Sequence, residues 1–133
     1  MKFLLLICLP GLLILTAAFI VQPLKPWPVP DAAAKMTNPV KSNPESISTG
    51  KSLWNQHCTS CHGKTGLGDG NKAAQLKTPL SDFSKATPVQ AESDGSLFYK
   101  ISEGRDEMPT FKKKIPDADD IWSLVNFVRT LKK

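Results

Sequence analysis

Two cysteines three positions apart, followed at once by a histidine, constrain this chain more than any other feature of its sequence. They are Cys58, Cys61 and His62. In a helical turn, residues three apart share one face, so the two thiols point to the same side of the backbone. The histidine follows directly and is directed at the same place. One short segment therefore offers two covalent attachment points and one metal ligand.

The pattern Cys-x-x-Cys-His is the attachment sequence of c-type haem, whose two vinyl groups each accept one thiol. The sequence predicts one covalent haem c, held by Cys58 and Cys61, with His62 as an axial ligand of its iron. A zinc site would need further ligands, and only His57 and Cys8 remain, neither at a suitable spacing. A dithiol redox motif would be expected beside a strand-helix-strand pattern, which the sequence lacks. Haem is the preferred interpretation, and His57 is assigned no role.

Met108 is the predicted second axial ligand of the iron. It lies 46 positions after His62 and directly before Pro109. Proline disfavours helix for the residue that precedes it, so we expect Met108 in an extended loop, free to point inward. A methionine thioether is a known haem-iron ligand. The alternative is that Met108 only fills a gap in the core.

Residues 47–133 have the composition of a globular domain, with helix-like segments and no convincing alternating strand pattern. The predicted helices cover about 47–59 with Ser46 or Ser48 as the cap, Ser93 or Asp94 to Gly104, and the stretch after Pro116. Four glycines between Gly63 and Gly70 predict a turning loop, with nothing regular before Ser93.

The C-terminal segment shows the clearest helical pattern. Its apolar residues recur at steps of three and four positions, namely Ile121, Leu124, Val125, Val128 and Leu131. Aspartates in its first turn and basic residues in its last turn match the helix dipole. One face of this helix must therefore pack against a core.

The N-terminal residues 1–21 contain a run from Phe3 to Val21 without a charge, preceded by Lys2. This run is either a signal peptide or a membrane-spanning helix. The small residues at 16–18 favour cleavage, whereas the length of the run favours an uncleaved anchor, which we prefer. In both cases the rest is exported, to the periplasm or to the extracytoplasmic face of the cytoplasmic membrane.

Residues 22–46 form a predicted proline-rich linker before the domain at 47–133. Six of the eleven prolines stand between Gln22 and Pro44, and no apolar periodicity connects them. At ~3.1 Å per residue, an extended tether of this length reaches up to ~70 Å. The alternative is a fixed strap, in which Pro26-Trp27-Pro28 packs on the domain or on a partner.

With these residues, the chain resembles the class I monohaem cytochrome c family. The resemblance covers about residues 47–133, and the features that carry it are Gly50, Cys58 to His62 with Gly63, the Met108-Pro109 pair and the amphipathic C-terminal helix. It implies an all-α fold, with helices packed around one covalently bound haem.

The resemblance also implies specific contacts. The first and last helices of the family cross near a glycine and an aromatic residue, positions that Gly50 and Phe127 would occupy, with Trp54 close by. Family members hold the axial histidine through a backbone carbonyl, and Pro79 is the expected carbonyl partner of His62.

If His62 and Met108 fill both axial positions, no site at the iron remains for a substrate. The sequence then predicts a one-electron carrier in a respiratory chain, and not an enzyme. A haem-bearing subunit of a larger membrane redox complex stays open, as does a five-coordinate ligand-binding protein if Met108 does not bind.

Expected partners are a redox donor and acceptor, such as an oxidase or a reductase, and the membrane if the N-terminal helix is uncleaved. The net charge of the chain is +5, which is not a nucleic-acid signature. The basic run Lys112 to Lys114 could face an acidic partner, or could belong to a solvated loop.

Overall fold

The computed structural model describes residues 26–133, so the predictions on residues 1–25 lie outside the described part. Regular structure in that part consists of α-helices and one 3-10 helix, and its only β-type pairing is an isolated bridge between Arg105 and Met108. The helices are α1 Asp31–Ala34, α2 Pro44–His57, α3 Thr59–His62, the 3-10 helix Ala73–Gln75, α4 Pro88–Ala91, α5 Asp94–Glu103 and α6 Ala118–Thr130. The predicted all-α class is confirmed.

Helix α2 begins three residues earlier than its predicted start at 47. The Asn43 side chain accepts a hydrogen bond from the Ser46 amide at 2.9 Å, and the Ser46 hydroxyl accepts one from the Asn43 amide at 3.2 Å. Pro44 takes the first helical position, where its missing N–H costs nothing. The prediction of Ser46 or Ser48 as the cap was therefore wrong, because Ser46 lies inside the first turn of a capping box.

Helices α2 and α6 cross at Gly50. A β-carbon at Gly50 would collide with the Ser123 carbonyl and lie 2.8 Å from the Phe127 β-carbon, so the two backbones come into contact there. Trp54, one turn further along α2, is 2 % exposed, and its ring centroid lies 5.8 Å from that of Phe127. The crossing that the resemblance implied at Gly50 and Phe127 is confirmed.

Helix α5 begins and ends where the sequence predicts. The Ser93 side chain accepts a hydrogen bond from the Ser96 amide, and Gly104 ends the helix with a φ of 67°. Leu97 is buried, and the Phe98 ring stacks on Trp122 of α6 at 4.2 Å. Through these contacts α5 covers one flank of α6.

Helix α6 supplies most of the core. Asp117 caps it by accepting a hydrogen bond from the Asp119 amide at 2.9 Å, as its position after Pro116 suggests. Its buried apolar residues are Ile121, Trp122, Leu124, Val125, Phe127 and Val128. The predicted inward face of the C-terminal helix is confirmed.

The loop between α3 and α5 contains two short helices that the sequence prediction missed, the 3-10 helix and α4. Each is about one turn long, which is too short to show an apolar period. Pro88 begins α4 at the first helical position. The predicted glycine-rich turns are present, with φ between 74° and 79° at Gly63, Gly66 and Gly68.

Residues 26–43, which we call the strap, lie on the domain. The Ser93 hydroxyl donates to the Ala34 carbonyl at 2.6 Å, and the Asn38 side chain donates to the Asn126 side-chain oxygen at 2.9 Å. Asn126 in turn donates to the Val40 carbonyl at 3.1 Å. The free tether predicted here was wrong, because the buried amide of Asn126 needs polar partners and the strap supplies them.

The strap is also attached at its first described residues. The Trp27 ring faces the Arg105 guanidinium at 4.6 Å and the Lys100 ammonium at 5.3 Å. Arg105 donates a hydrogen bond to the Pro26 carbonyl at 2.8 Å. The strap thus begins beside the end of α5.

No helix within residues 26–133 combines the length and the apolar character that a bilayer crossing requires.

Candidate haem site

The attachment segment lies on one helical turn. Cys58 ends α2 and leads into α3, and its carbonyl accepts hydrogen bonds from the Cys61 amide at 3.2 Å and the His62 amide at 2.9 Å. Both thiols are free and half-buried. The structure therefore brings the three predicted attachment residues together on one turn.

The Cys58 side chain packs against the hydrophobic core. Burial, with a smaller contribution from Cys61, raises the pKa of the Cys58 thiol to about 12. The thiol is therefore protonated at neutral pH. When haem c is bound, Cys58 would hold it through a thioether bond to one of its vinyl groups.

His62 lies between two aromatic rings. Its ring centroid is 5.1 Å from Phe83 and 5.7 Å from Trp54. Burial lowers the pKa of His62 below its usual value, so the imidazole is neutral at pH 7, the form that binds a metal. Its Nδ1 atom is buried and has no hydrogen-bond partner among the described residues. The predicted contact with the Pro79 carbonyl is therefore not formed.

Hydrogen bonds at Gly63 and Gly66 shape the loop after His62, so that Phe83 lies beside the site. Trp54 donates its indole N–H to the Gly63 carbonyl at 3.1 Å. Gly66 then accepts a hydrogen bond from the Phe83 amide at 2.7 Å. Sequence reasoning missed Phe83, because the irregular stretch around it has no period that marks an inward position.

Met108 lies in a tight turn between α5 and α6. The Arg105 amide donates to the Met108 carbonyl at 2.8 Å, and the Met108 amide donates to the Arg105 carbonyl at 2.9 Å. A β-carbon at Gly104 would lie 2.5 Å from the Met108 oxygen, so the turn sits tightly on the end of α5. The loop location predicted for Met108 is confirmed, and its side chain packs against the same core as Cys58.

The residues after Met108 connect its loop to the attachment side. The Thr110 hydroxyl donates to the Ser102 carbonyl at 2.6 Å, and the Phe111 amide donates to the Ile101 and Ser102 carbonyls. Phe111 is buried, and its ring centroid lies 6.0 Å from that of His57. His57, which precedes the attachment cysteines, thus contacts the segment that follows Met108.

Glu107 makes a second connection, which sequence reasoning missed. Its carboxylate accepts hydrogen bonds from the Lys77 amide, at 3.0 and 2.9 Å to its two oxygens, and from the Thr78 amide at 3.0 Å. These backbone donors lower the pKa of Glu107 below its usual value. No sequence signal pointed to this contact, because the partners are 30 positions apart.

These residues fit a covalent haem. Two free thiols share one turn, a neutral imidazole has a buried ring nitrogen without a partner, and a thioether packs on the same core. In residues 26–133, no three His, Cys, Asp or Glu side chains group together as a site for a bare metal ion. Cys58 and Cys61 would hold the haem, and His62 and Met108 would be the ligands of its iron.

The crossing of the first and last long helices, together with a Cys-x-x-Cys-His turn, defines the class I monohaem c-type cytochromes, electron-transfer proteins with covalently bound haem c. A family model described as cytochrome c oxidase, cbb3-type, subunit III matches residues 45–128, which is more than half of the chain. The chain belongs to this family. None of the curated proteins compared with it matches.

Solved structures agree with this class. The KustC0563 c-type cytochrome is 35 % identical, with a TM-score of 0.54 over 63 % of this chain and 98 % of that chain. A single-residue mutant of Kustc0563 is 34 % identical, with a TM-score of 0.52 over 63 % of this chain and 99 % of that one.

A larger structure shares the fold alone. The Kuenenia stuttgartiensis reducing HAO-like protein complex Kustc0457/Kustc0458 is 23 % identical, with a TM-score of 0.60. The match covers 71 % of this chain and 47 % of that chain, so the protein spans about half the length of this relative.

Proposed function

We propose that this cytochrome is a one-electron carrier in an extracytoplasmic respiratory chain, and not an enzyme. The observation that carries the proposal is the position of Met108, held in a tight turn against the same core as Cys58. When bound, haem c supplies an iron that exchanges one electron between its ferric and ferrous states. With His62 and Met108 on the iron, no position is left for a substrate.

The surroundings of the two proposed ligands favour electron transfer. Trp54 and Phe83 restrict the orientation of the His62 ring, and the turn around Met108 is closed by two backbone hydrogen bonds. Rigid ligands change little between oxidation states. The neutral thioether and the apolar core both disfavour the extra charge of ferric iron, which supports a comparatively high reduction potential.

We propose an oxidase or a reductase with an acidic surface as the partner. Residues 47–133 include thirteen basic and ten acidic residues, a net charge of +3. Within the basic run after Met108, Lys112 pairs with Glu103 and the Lys114 ammonium lies 5.6 Å from the Phe111 ring centroid. Lys113 is exposed, so the run still presents positive charge close to the site.

We place the protein in the periplasm or on the outer face of the cytoplasmic membrane, anchored through residues 1–21. The uncharged run from Phe3 to Val21 supports the anchor. A second candidate is a haem-bearing subunit of a larger membrane redox complex, which the family's description as an oxidase subunit favours. Detergent fractionation with pull-down separates the two, because a fixed subunit co-purifies with its complex and a carrier does not.

The ligand assignment is tested with Met108→Ala in the haem-loaded protein. We expect the ferric wild type to show a low-spin spectrum with a sulfur-to-iron absorption band, and the variant to lose that band. Met36→Ala is the matched control, because Met36 lies in the strap and is 42 % exposed. An unchanged spectrum in Met108→Ala would contradict the assignment, and a high-spin wild type without the band would favour a five-coordinate haem protein.

A further inference from the structure

The side chain of Glu107 joins the turn that carries Met108 to residues 77 and 78. One carboxylate oxygen accepts from the Lys77 amide at 3.0 Å, and the other accepts from the Lys77 and Thr78 amides at 2.9 and 3.0 Å. Residues 77 and 78 belong to the same irregular stretch that continues to Phe83, the ring stacked on His62. The contact therefore joins the Met108 turn to the stretch that leads to Phe83.

The geometry at residues 77 and 78 suits a carboxylate. These residues lie between the 3-10 helix and α4, so their amides have no partners from regular secondary structure. Two successive backbone N–H groups that point at one place form a favourable site for an anion. Hydrogen bonds to an ionised acceptor are stronger than neutral ones. Glu107 thus satisfies two amides that would otherwise depend on water.

The Met108 turn is fixed on α5 by backbone contacts, and it is connected to residues 77 and 78 by the Glu107 carboxylate. The paired hydrogen bonds between Arg105 and Met108 close the turn internally, and Gly104 fixes it on the end of α5. Neither of these contacts fixes the distance between the turn and the stretch that leads to Phe83. Glu107 supplies hydrogen bonds from the turn to that stretch.

We propose that Glu107 is a positioning residue for Met108: by tying the turn to Lys77 and Thr78, it keeps the thioether against the haem iron. The inference rests on the proposed ligand role of Met108. Glu107 does not itself bind iron, and it acts only through the position of its neighbour. Its removal lets the turn move outward more often, which exposes the sixth coordination position to competing ligands.

An exposed acidic side chain is often energetically neutral, so the proposal has to be separated from a simple effect of surface charge. Glu107 differs from an ordinary surface ion pair because its partners are backbone amides, whose positions do not depend on a flexible side chain. Asp106 provides the matched comparison. It is the adjacent residue, it is also acidic, its side chain is 59 % exposed, and its recorded partner is Arg105 at 3.4 Å.

The experiment uses the ferric holoprotein and imidazole as the competing ligand. The variants are Glu107→Ala, Glu107→Gln and the control Asp106→Asn. We expect imidazole to displace Met108 about tenfold faster in Glu107→Ala than in the wild type, the effect of losing a hydrogen-bonded charge. Glu107→Gln should lie between the two, because its amide oxygen can still accept one hydrogen bond. Asp106→Asn should stay within about twofold of the wild type.

Equal displacement rates in the wild type and in both Glu107 variants would overturn the proposal. A lower melting temperature with an unchanged rate would overturn it too, because that result describes a purely structural residue. If Glu107→Ala does not fold, the displacement rates of Glu107→Gln and Asp106→Asn are compared with each other, and this comparison decides the proposal. A wild type without the sulfur-to-iron band would instead overturn the ligand assignment, and the positioning role with it, so the two failures are distinguishable.

Discussion

His62 is positioned by its attachment turn and by two aromatic rings, whereas the turn of Met108 is positioned by backbone contacts and by one carboxylate. The His62 amide donates to the Cys58 carbonyl, Trp54 comes from the preceding helix, and Phe83 comes from the loop that follows. The Met108 turn instead depends on backbone contact with Gly104 and on the remote segment that Glu107 reaches. The comparison shows that the motif orients the His62 side, while both sides are completed by residues that only the tertiary fold brings near.

The largest expected effect comes from removing the attachment itself. In the double variant Cys58→Ser with Cys61→Ser, haem should become extractable by acidified solvent and most helical circular dichroism should be lost. The reason is that a domain of this size has a modest core and gains from a large apolar group at its centre. Cys8→Ser is the matched control, since it removes a thiol outside the motif. Native-like helical content in the double variant would contradict the prediction.

Gly104→Ala should disturb the Met108 side strongly. The new β-carbon would lie 2.5 Å from the Met108 oxygen and 2.5 Å from the Pro109 carbonyl carbon, and φ is 67°. Since backbone atoms cannot move aside, we expect a loss of about 2 to 3 kcal/mol in unfolding free energy. The sulfur-to-iron band should weaken with it. Urea unfolding and the visible spectrum of the holoprotein measure both.

Gly63→Ala is the corresponding change on the His62 side and should cost less. Its φ of 79° is equally unfavourable, but the atom that a β-carbon would meet belongs to the Asp69 side chain, which can turn away. We expect a loss of about 1 kcal/mol, with the sulfur-to-iron band unchanged. A loss as large as that of Gly104→Ala would show that the two sides tolerate change equally.

Trp54→Phe tests how much the indole hydrogen bond contributes on the His62 side. Phenylalanine keeps an aromatic ring beside His62 and Phe127 but removes the indole hydrogen bond to the Gly63 carbonyl. One buried hydrogen bond of this kind contributes about 1 kcal/mol. Thermal unfolding should therefore shift downward while the spectrum stays low-spin. A loss of the sulfur-to-iron band would mean that Trp54 also controls the Met108 side.

The smallest expected effect is a pH dependence from Asp82. Hydrogen bonds from Ser84 and the nearby Lys85 lower the pKa of Asp82 below its ordinary value of 3.8. A carboxyl with a lowered pKa stabilises the folded state above its ordinary pKa and loses that contribution as the pH falls through the lowered value. Stability should therefore decline below about pH 4. In Asp82→Asn this part of the decline should be absent, as urea unfolding at several pH values would measure.

The sequence predicted those parts of the molecule whose structure is determined by a short, local pattern of residues. The spacing of Cys58, Cys61 and His62 identified the attachment turn, and the period from Ile121 to Leu131 identified α6. Proline after Met108 placed that residue in a loop. Each of these signals lies within a dozen positions of what it predicts, so no knowledge of the fold was needed.

What the sequence did not predict depends on contacts between distant segments. The prolines favoured a free tether and left the fixed strap as the alternative, because no local pattern shows that Asn38 bonds to a residue of α6. Glu107 looked like any surface acid. The start of α2 was misplaced because the cap is the Asn43 side-chain oxygen, while the Ser46 hydroxyl accepts the Asn43 amide from inside the first turn. The hydrogen bond expected between His62 and the Pro79 carbonyl was inferred from the family resemblance alone, and no local sequence pattern supported it.

The strap also has a consequence for the order of folding. Asn38 and Asn126, which bond to each other, are 88 positions apart, so the first part of the described chain docks on one of the last. A chain synthesised from its N-terminus contains the strap before α6 exists. Contacts of such high sequence separation form late because loop closure must precede them. The strap therefore docks on the domain only after the haem attachment turn, which lies between the two partners in sequence, has been synthesised.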